Sequence, residues 1–148
     1  MSPRRFLSTV QFFHHMAKDK DYIRKNRKWL EAVSKEESVI SLPKGIYYKV
    51  LASGKGDNRH PKLNSVITVH YTGKTINGKV FDSTIGGIPL AVRLSELIEG
   101  WIVALQQMCI GDKWEIYIPS EMGYGKYSQP GIPSGSTLIF QIELIGIA

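Results

Sequence analysis

The sequence predicts an α+β fold in which a curled antiparallel β-sheet, a half barrel, wraps around one short α-helix. An N-terminal amphipathic helix precedes this unit. Two observations predict the fold: apolar residues recur every three or four positions near the N-terminus and every second position downstream, and one helical segment interrupts the alternating segments. Strands with one apolar face each are typical of an antiparallel sheet around a common core.

Length and composition set the limits of the fold. The chain has 148 residues, of which 43% are hydrophobic and 22% charged, as in a soluble domain with a buried core. No apolar run reaches the roughly 20 residues of a membrane-spanning helix. The single cysteine, Cys109, excludes an internal disulfide and a multi-cysteine metal site. We therefore expect no membrane span, no metal and no cofactor.

The basic charge is confined to the N-terminal part of the chain. The net charge of +6 arises within residues 1–35, whereas residues 36–148 balance to zero. Basic runs are usually solvated helix faces, so we expect no specific nucleic-acid binding. An adaptor that binds nucleic acid or an acidic partner through this segment stays open as a weaker alternative.

Residues 1–18 are predicted to form a flexible segment. They fail as a signal peptide because Gln11, His14 and His15 interrupt the apolar stretch. A cytoplasmic location is therefore the default expectation, and the cell envelope is the alternative if the start is misplaced. Met1 and Met16 both stay open as the natural start.

Residues 19–41 are predicted to form an amphipathic helix, from Asp19 to about Ser38, and a linker. Its apolar stripe consists of Tyr22, Ile23, Trp29, Leu30 and Val33. Such a stripe needs a partner surface. The partner is either the downstream domain, which we favour slightly, or a second copy in a homodimer.

Residues 42–148 are predicted to form the main domain, because Pro43 and Gly45 end the helical pattern. Strands are expected at 46–52, 65–72, 113–119 and 136–147. Asn77-Gly78 predicts a type I′ hairpin turn. The internal helix is expected from Ser95, its N-cap, to Met108, with Glu96 and Glu99 near the positive end of its dipole.

The chemistry of this domain points away from covalent catalysis. No nucleophile lies at a typical spacing from a base, no glycine loop is suited to phosphate, and Cys109 is interpreted as a packed side chain. Aromatic and aliphatic residues instead flank the glycine turns. Tyr71 and Tyr124 point to a binding pocket, because a buried phenol needs a hydrogen-bond partner and turns are common ligand sites.

Several motifs occur in order across residues 45–147 and closely resemble the FKBP-type peptidyl-prolyl cis/trans isomerases. The N-terminal helix and the residues that follow it resemble the bacterial macrophage infectivity potentiator subclass. The motifs are Val69-His70-Tyr71-Thr72-Gly73, Asn77-Gly78-Lys79-Val80-Phe81-Asp82-Ser83, Leu97-Ile98-Glu99-Gly100-Trp101, Ile118 to Gly125, Ile132-Pro133 and Leu138-Ile139-Phe140.

The resemblance implies an isomerase that rotates Xaa-Pro peptide bonds in an aromatic pocket and assists protein folding. It implies proline-containing polypeptides as substrates and macrolides such as FK506 and rapamycin as ligands. The implied catalytic residues are Tyr71, Phe81, Asp82, Trp101, Tyr124 and Phe140, and the implied substrate-binding residues are Leu90, Leu97, Ile98 and Ile132.

The family also implies a role for each residue. Trp101 is the floor beneath the proline ring, with Phe81 and Phe140 as walls, while the Tyr124 hydroxyl and the Ile98 N–H contact carbonyl groups and Asp82 accepts a hydrogen bond from Tyr71. Leu90 stands where many members have phenylalanine, which bears on sequence preference. The alternative is a non-catalytic module or chaperone that holds proline segments. Because the pocket motifs lie downstream, deletion of residues 1–40 is expected to leave activity nearly intact.

Overall fold

A seven-stranded antiparallel sheet forms the body of the protein. The structure, a computed structural model, describes residues 9–55 and 57–148, with side chains described from residue 19 onwards. Two α-helices accompany the sheet, α1 (Thr9–Ser34) and α2 (Glu99–Leu105). The strands are β1 (Ile40–Ser41), β2 (Tyr47–Ala52), β3 (Val66–Lys74), β4 (Val80–Ser83), β5 (Leu90–Arg93), β6 (Lys113–Ile118) and β7 (Leu138–Ile147).

The strand order is β1-β2-β6-β7-β3-β4, and β5 also pairs with β3. β4 and β5 lie along the same edge of β3: Gly73 pairs with Asp82, and Val69 pairs with Leu90. The edge strand is thus broken by the loop at residues 84–89. The predicted fold class, a curled antiparallel sheet with one internal helix and one N-terminal helix, is confirmed.

The main core lies between the sheet and α2. The predicted apolar faces of β6 and β7 both belong to it, with Ile116, Ile142 and Leu144 fully buried. From α2 and the turn after it come Trp101, Leu105 and Met108. The alternation of apolar residues in these strands therefore predicted correctly which side chains face the core.

A second, smaller core lies on the opposite face of the sheet. The cross-strand pair Tyr117 and Ile139 points outward there and packs with Val33 of α1. The ring of Trp29 meets that of Tyr117 edge-on at a centroid distance of 5.8 Å. The apolar stripe of α1 thus packs on its own domain, the alternative favoured from the sequence.

Polar contacts also hold α1 to the body. Asn26 is 1% exposed, and its Oδ1 accepts a hydrogen bond from the Thr137 N–H at 2.8 Å. Its Nδ2 donates to the Tyr22 carbonyl oxygen, and the Tyr22 hydroxyl lies 2.7 Å from that of Ser136. These bonds hold α1 to the residues that lead into β7.

Three local predictions differ from the structure. α1 begins at Thr9 rather than Asp19 and ends at Ser34, and residues 1–8 of the predicted flexible segment lie outside the described residues. α2 begins at Glu99, with Ile98 as N-cap, because Ser95 belongs to a preceding 3-10 turn, Leu94–Glu96.

None of the helices in the described part of the chain is long and apolar enough to cross a membrane.

The third difference is the turn between β3 and β4. Gly78 has a φ of +84°, but Asn77 has a negative φ, whereas a type I′ turn needs positive φ at both. The Gly78 N–H donates to the Thr75 carbonyl, and the Thr75 N–H donates to that of Lys79. This pattern is a three-residue loop with a type I turn and a left-handed glycine, so the hairpin was correct and its turn type was wrong.

Candidate active site

A cavity of about 230 Å³ opens where β3, β4 and β5 meet the N-terminal end of α2. Its lining contains nine of the ten residues that the sequence singled out, together with Glu96. The predicted residues that line it are Tyr71, Phe81, Asp82, Leu90, Leu97, Ile98, Trp101, Tyr124 and Phe140. The sequence therefore located the residues of this cavity almost completely.

Ile132 is the exception. Its side chain is 4% exposed and belongs to the main core, and it borders a neighbouring groove rather than this cavity. The backbone of Ile132 exchanges two hydrogen bonds with Gln129, at 2.8 and 2.9 Å. This pairing closes a tight turn, and the Ile132 side chain belongs to the same core cluster as Trp101 and Phe140.

Four aromatic rings form the wall and base of the cavity. The ring of Phe140 meets those of Trp101 and Phe81 nearly perpendicularly, at centroid distances of 5.2 and 5.6 Å, and Tyr71 meets Trp101 at 5.0 Å. Edge-to-face contacts of this kind fix ring orientations. The result is a rigid apolar surface made of side chains from β3, β4, α2 and β7.

Gly73 makes this packing possible. A Cβ atom added to it would lie 2.6 Å from the Phe140 ring and 2.7 Å from the Phe81 ring. Both rings are cavity walls, so the absence of a side chain at this position on β3 sets the spacing between them.

We expect Gly73→Ala to displace Phe81 and Phe140 and to lower the free energy of unfolding by about 1–3 kcal/mol, because overpacking forces side chains out of their packed positions. Gly87→Ala is the matched control, since its Cβ would approach only the Thr84 carbonyl oxygen, at 3.5 Å. Urea unfolding of both variants and the NMR resonances of the Phe81 and Phe140 rings test this. Equal stability and unchanged ring resonances in the two variants would contradict the spacing role of Gly73.

The hydroxyl of Tyr71 donates a short hydrogen bond to Asp82 Oδ2. The backbone of Tyr71 is held as well, because its N–H donates to Thr84 Oγ1 at 2.9 Å. The expected Tyr71–Asp82 bond is therefore present. Burial, and then the bond to Asp82, raise the pKa of the Tyr71 hydroxyl well above its ordinary value.

Besides the buried Trp101 indole N–H, two hydrogen-bond donors at the cavity have no acceptor among the described residues: the Tyr124 hydroxyl and the Ile98 N–H. Ile98 is the N-cap of α2, so its N–H precedes the helical hydrogen bonds. Burial, and then the Asp82 charge, raise the pKa of Tyr124, so its phenol keeps its proton at neutral pH. Both groups are thus ready to donate to a carbonyl oxygen of a ligand.

The Trp101 indole lies at the centre of the aromatic cluster and is 3% exposed. Its Nε1–H is buried and has no hydrogen-bond partner in the described part of the molecule. An unpaired buried donor costs about 1–3 kcal/mol of stability. The favourable contribution of Trp101 is therefore the apolar area of its ring.

Alkaline unfolding tests the burial of the phenols. The pKa is raised by burial in Tyr71, Tyr124 and Tyr117, and in Tyr117 also by its hydrogen bond to Glu115. The unfolded chain then loses these protons first, so their contribution to stability is complete below about pH 10 and is lost as the pH rises further.

We therefore expect the free energy of unfolding, measured by urea titration, to fall as the pH rises above about 10. The fall should be less steep in Tyr117→Phe than in the wild type. Tyr127→Phe is the control, because Tyr127 is exposed. The same slope in wild type and Tyr117→Phe would contradict this assignment.

A larger groove of about 580 Å³ lies between α1 and the body. Two of its basic side chains are paired with carboxylates. Arg27 lies 3.5 Å from Glu121, which also lines the groove, and Lys44 lies 2.6 Å from Glu99, which does not. It lacks the aromatic cluster and the two unpaired donors of the smaller cavity. The smaller cavity is therefore the better candidate for chemistry on an uncharged ligand.

Side chains for metal binding are not assembled in the described residues. No group of three or more histidine, cysteine, aspartate or glutamate side chains there is placed to hold a metal ion. The half-buried Cys109 Sγ lies 3.7 Å from His60 Nδ1, away from the cavity. Burial, and then the charges of Asp112 and Asp57, raise the pKa of this thiol and favour its protonated form. The cavity offers apolar surface and neutral hydrogen-bond donors.

Comparison with known proteins identifies the fold and the family. A sequence profile of the FKBP-type peptidyl-prolyl cis-trans isomerase family matches residues 57–145. The chain is 42% identical over 125 residues to peptidyl-prolyl cis-trans isomerase Mip of Coxiella burnetii, an alignment that spans 83% of this chain and 54% of the relative. The chain thus spans about half the length of the curated relatives it matches.

Two crystal structures have the same architecture. FkpA from Escherichia coli superimposes with a TM-score of 0.81 at 35% identity, over 99% of this chain and 73% of its own. A peptidyl-prolyl cis-trans isomerase from Pseudomonas syringae gives 0.79 at 32% identity, over 87% of this chain and 95% of its own. The expected resemblance to the Mip subclass is confirmed, and the chain belongs to the FKBP-type peptidyl-prolyl cis-trans isomerase family.

Proposed function

We propose that this protein is a peptidyl-prolyl cis/trans isomerase that accelerates rotation about Xaa-Pro bonds in the aromatic cavity and thereby assists protein folding. The observation that carries the proposal is the pairing of an apolar aromatic cavity with two unpaired donors, Tyr124 and Ile98. Family membership supports the same activity. We assign the activity to the predicted isomerase segment, residues 42–148.

The barrier to rotation of a prolyl bond is about 20 kcal/mol, because resonance gives the C–N bond partial double-bond character. The charge-separated resonance form needs a polar surrounding. Moving the amide onto the rings of Trp101, Phe81 and Phe140 disfavours that form. The planar isomers then lose more stabilisation than the twisted transition state, which lowers the barrier. No nucleophile is required.

The remaining residues hold the substrate. The Ile98 N–H and the Tyr124 hydroxyl donate to carbonyl oxygens on either side of the twisting bond, which favours one geometry over both planar isomers. Asp82 fixes Tyr71 in place through its hydrogen bond. Leu90 and Leu97 extend the apolar lining. Macrolides such as FK506 and rapamycin are proposed to occupy the same surface and to compete with substrate.

A second candidate is a binding module or chaperone that holds proline segments with little turnover. Ile85 and Ile88, in the loop that breaks the edge strand, are 69% and 87% exposed and favour this reading. The loop joins the strands that carry Asp82 and Leu90, so it adjoins the cavity. Exposed apolar side chains there suit an unfolded client chain.

Turnover separates the two candidates. Exchange NMR of a short Leu-Pro peptide with catalytic amounts of protein measures the cis-to-trans rate without a coupling protease. The isomerase proposal predicts acceleration that is proportional to protein concentration. Binding of the peptide without acceleration would favour the holding module instead.

Two further proposals concern assembly and location. The stripe of α1 that suggested a homodimer packs on its own domain, so we propose that residues 19–34 do not form a dimer interface. Light scattering on the purified protein tests this, and a dimer lost in Val33→Asp would contradict it. The cytoplasmic location stays a prediction, tested against the cell envelope by fractionation.

A further inference from the structure

Lys44 has a backbone conformation that is unusual for its residue type. Its φ of 65° and ψ of 25° lie in the left-handed region, and no other residue with a side chain has a positive φ in the described ranges, 9–55 and 57–148. This conformation is strained for a residue with a Cβ atom, and strain of this kind clusters at functional sites. The lysine is therefore retained for a reason other than the geometry of the turn, which glycine would suit better.

The turn that carries Lys44 is held on both sides. The Leu42 N–H donates to the Ile46 carbonyl oxygen at 2.8 Å across the 3-10 turn Pro43–Gly45. The Ile46 side chain is fully buried in the main core, and the strands before and after the turn, β1 and β2, pair with each other. The Lys44 side chain thus leaves the body from a well-fixed backbone.

The ammonium group of Lys44 pairs with the first residue of α2. Its Nζ lies 2.6 Å from Glu99 Oε1, and the two residues are 55 positions apart in the sequence. This is the shortest ion pair among the described residues. No other side chain in that part of the molecule forms a hydrogen bond or ion pair with Glu99. Lys44 therefore connects the turn before β2 to the start of α2.

The first turn of α2 carries two groups of the cavity. Ile98, the N-cap, has the unpaired N–H, and Trp101 has the ring at the centre of the aromatic cluster. The N-cap makes no side-chain hydrogen bond, so capping does not hold this end of the helix. Glu99 directly follows Ile98 and lies two residues before Trp101. A displacement of Glu99 thus moves both groups.

We infer that Lys44 is a positioning residue of the active site. Through Glu99 it holds the first turn of α2 so that the Ile98 N–H and the Trp101 ring face the twisting prolyl bond in the productive geometry. The inference rests on the proposed isomerase function and adds to it a residue outside the cavity lining. Lys44 itself does not touch the substrate.

Lys44→Gly separates this role from a contribution to stability. Glycine adopts a positive φ without strain, which offsets the loss of an exposed ion pair and the greater entropy of the unfolded chain. We expect an unchanged free energy of unfolding in urea, whereas kcat for a Leu-Pro peptide falls by about two- to fivefold at nearly constant KM. An unchanged kcat would overturn the inference, and so would a loss explained by the folded fraction alone.

A double-mutant cycle tests whether Lys44 acts through Glu99. Glu99→Gln should lower kcat by a similar factor, and the double variant should lose no more than either single variant, because each change removes the same pair. Lys44→Arg keeps the charge and should keep the activity. Lys35→Met is the control, since it removes an exposed lysine that pairs with Glu31 at 3.4 Å on α1, outside the cavity. Losses that multiply in the double variant would overturn the inference.

The proposed function can fail separately. If the wild type binds the Leu-Pro peptide without accelerating it, the isomerase proposal is contradicted, and the position of the first turn of α2 is still measurable. The NMR signals of the Ile98 amide and the Trp101 indole N–H report on it directly. Shifts of both signals in Lys44→Gly that are absent in Lys35→Met support the positioning role. Unchanged signals in Lys44→Gly overturn it.

Discussion

Replacing Trp101 with leucine is expected to lower kcat/KM for a Leu-Pro peptide by about ten- to hundredfold per folded molecule. The indole ring is in edge-on contact with both Tyr71 and Phe140, so the shorter side chain removes the surface proposed to support the proline ring. A loss of this size corresponds to about 1.4–2.7 kcal/mol of transition-state preference. Exchange NMR with a urea unfolding curve for each protein measures activity and folded fraction.

Trp114→Leu provides the matched control. Trp114 is also buried and stacks on Tyr48 at a centroid distance of 3.8 Å, but it does not line the cavity. We expect both variants to lose stability and only Trp101→Leu to lose activity. Tyr124→Phe should cost much less, because it removes one of two donors, and equal losses in Trp101→Leu and Tyr124→Phe would contradict the assigned roles.

Deleting residues 1–38 is expected to lower the free energy of unfolding by about 3–6 kcal/mol, because Tyr117 and Ile139 lose their cover. Both are nearly fully buried in the intact chain. The Thr137 N–H also loses its acceptor, Asn26. The expectation drawn from the sequence concerned activity, which deletion of residues 1–40 was to leave nearly intact; the packing of α1 adds an expected loss of stability.

A point substitution tests the same contact in the full-length chain. Asn26→Ala leaves the Thr137 N–H buried without its acceptor, which costs about 1–3 kcal/mol. Lys25→Ala is the control, since Lys25 is exposed on the same turn of α1. Urea unfolding compares the two variants. Equal stability of Asn26→Ala and Lys25→Ala would show that α1 is held loosely after all.

The four longest strands and most of the site were predictable because their signals are local, whereas the short strands β1 and β5 were not predicted. Alternation of apolar residues needs only the period of a strand, and it correctly placed Ile116 and Ile142 on the inner face. The pocket residues were found through the family resemblance, on motifs that lie next to turns. Tyr71 and Asp82 lie on adjacent strands, and their bond was expected from that resemblance.

What the sequence did not reveal depends on contacts between distant segments. Tyr117 and Ile139 are apolar residues on the outer faces of β6 and β7, and only their cross-strand pairing shows that they form one docking surface for α1. The sequence does not show this pairing, so the docking surface for α1 was not predicted. Asn26 interacts with Thr137, 111 positions away, and no local pattern indicates such a partner.

Two smaller misses also have physical reasons. Glu96 was assigned to the start of a helix, where its charge favours the dipole, so its place in the cavity lining was overlooked. Ile132, which the resemblance implied as a substrate-binding residue, lies in the main core and borders a neighbouring groove, and its backbone pairs with Gln129. Loop geometry of this kind is set by hydrogen bonds that composition does not specify.

The central claim is that the aromatic cavity is the place where prolyl bonds are rotated. The most direct test is the cis-to-trans rate of a Leu-Pro peptide with catalytic amounts of the protein, measured with and without saturating rapamycin. The account predicts acceleration that the macrolide abolishes, with perturbed resonances at Phe81, Trp101 and Phe140. Acceleration that persists when rapamycin fills the cavity, or no acceleration by folded protein, would contradict it.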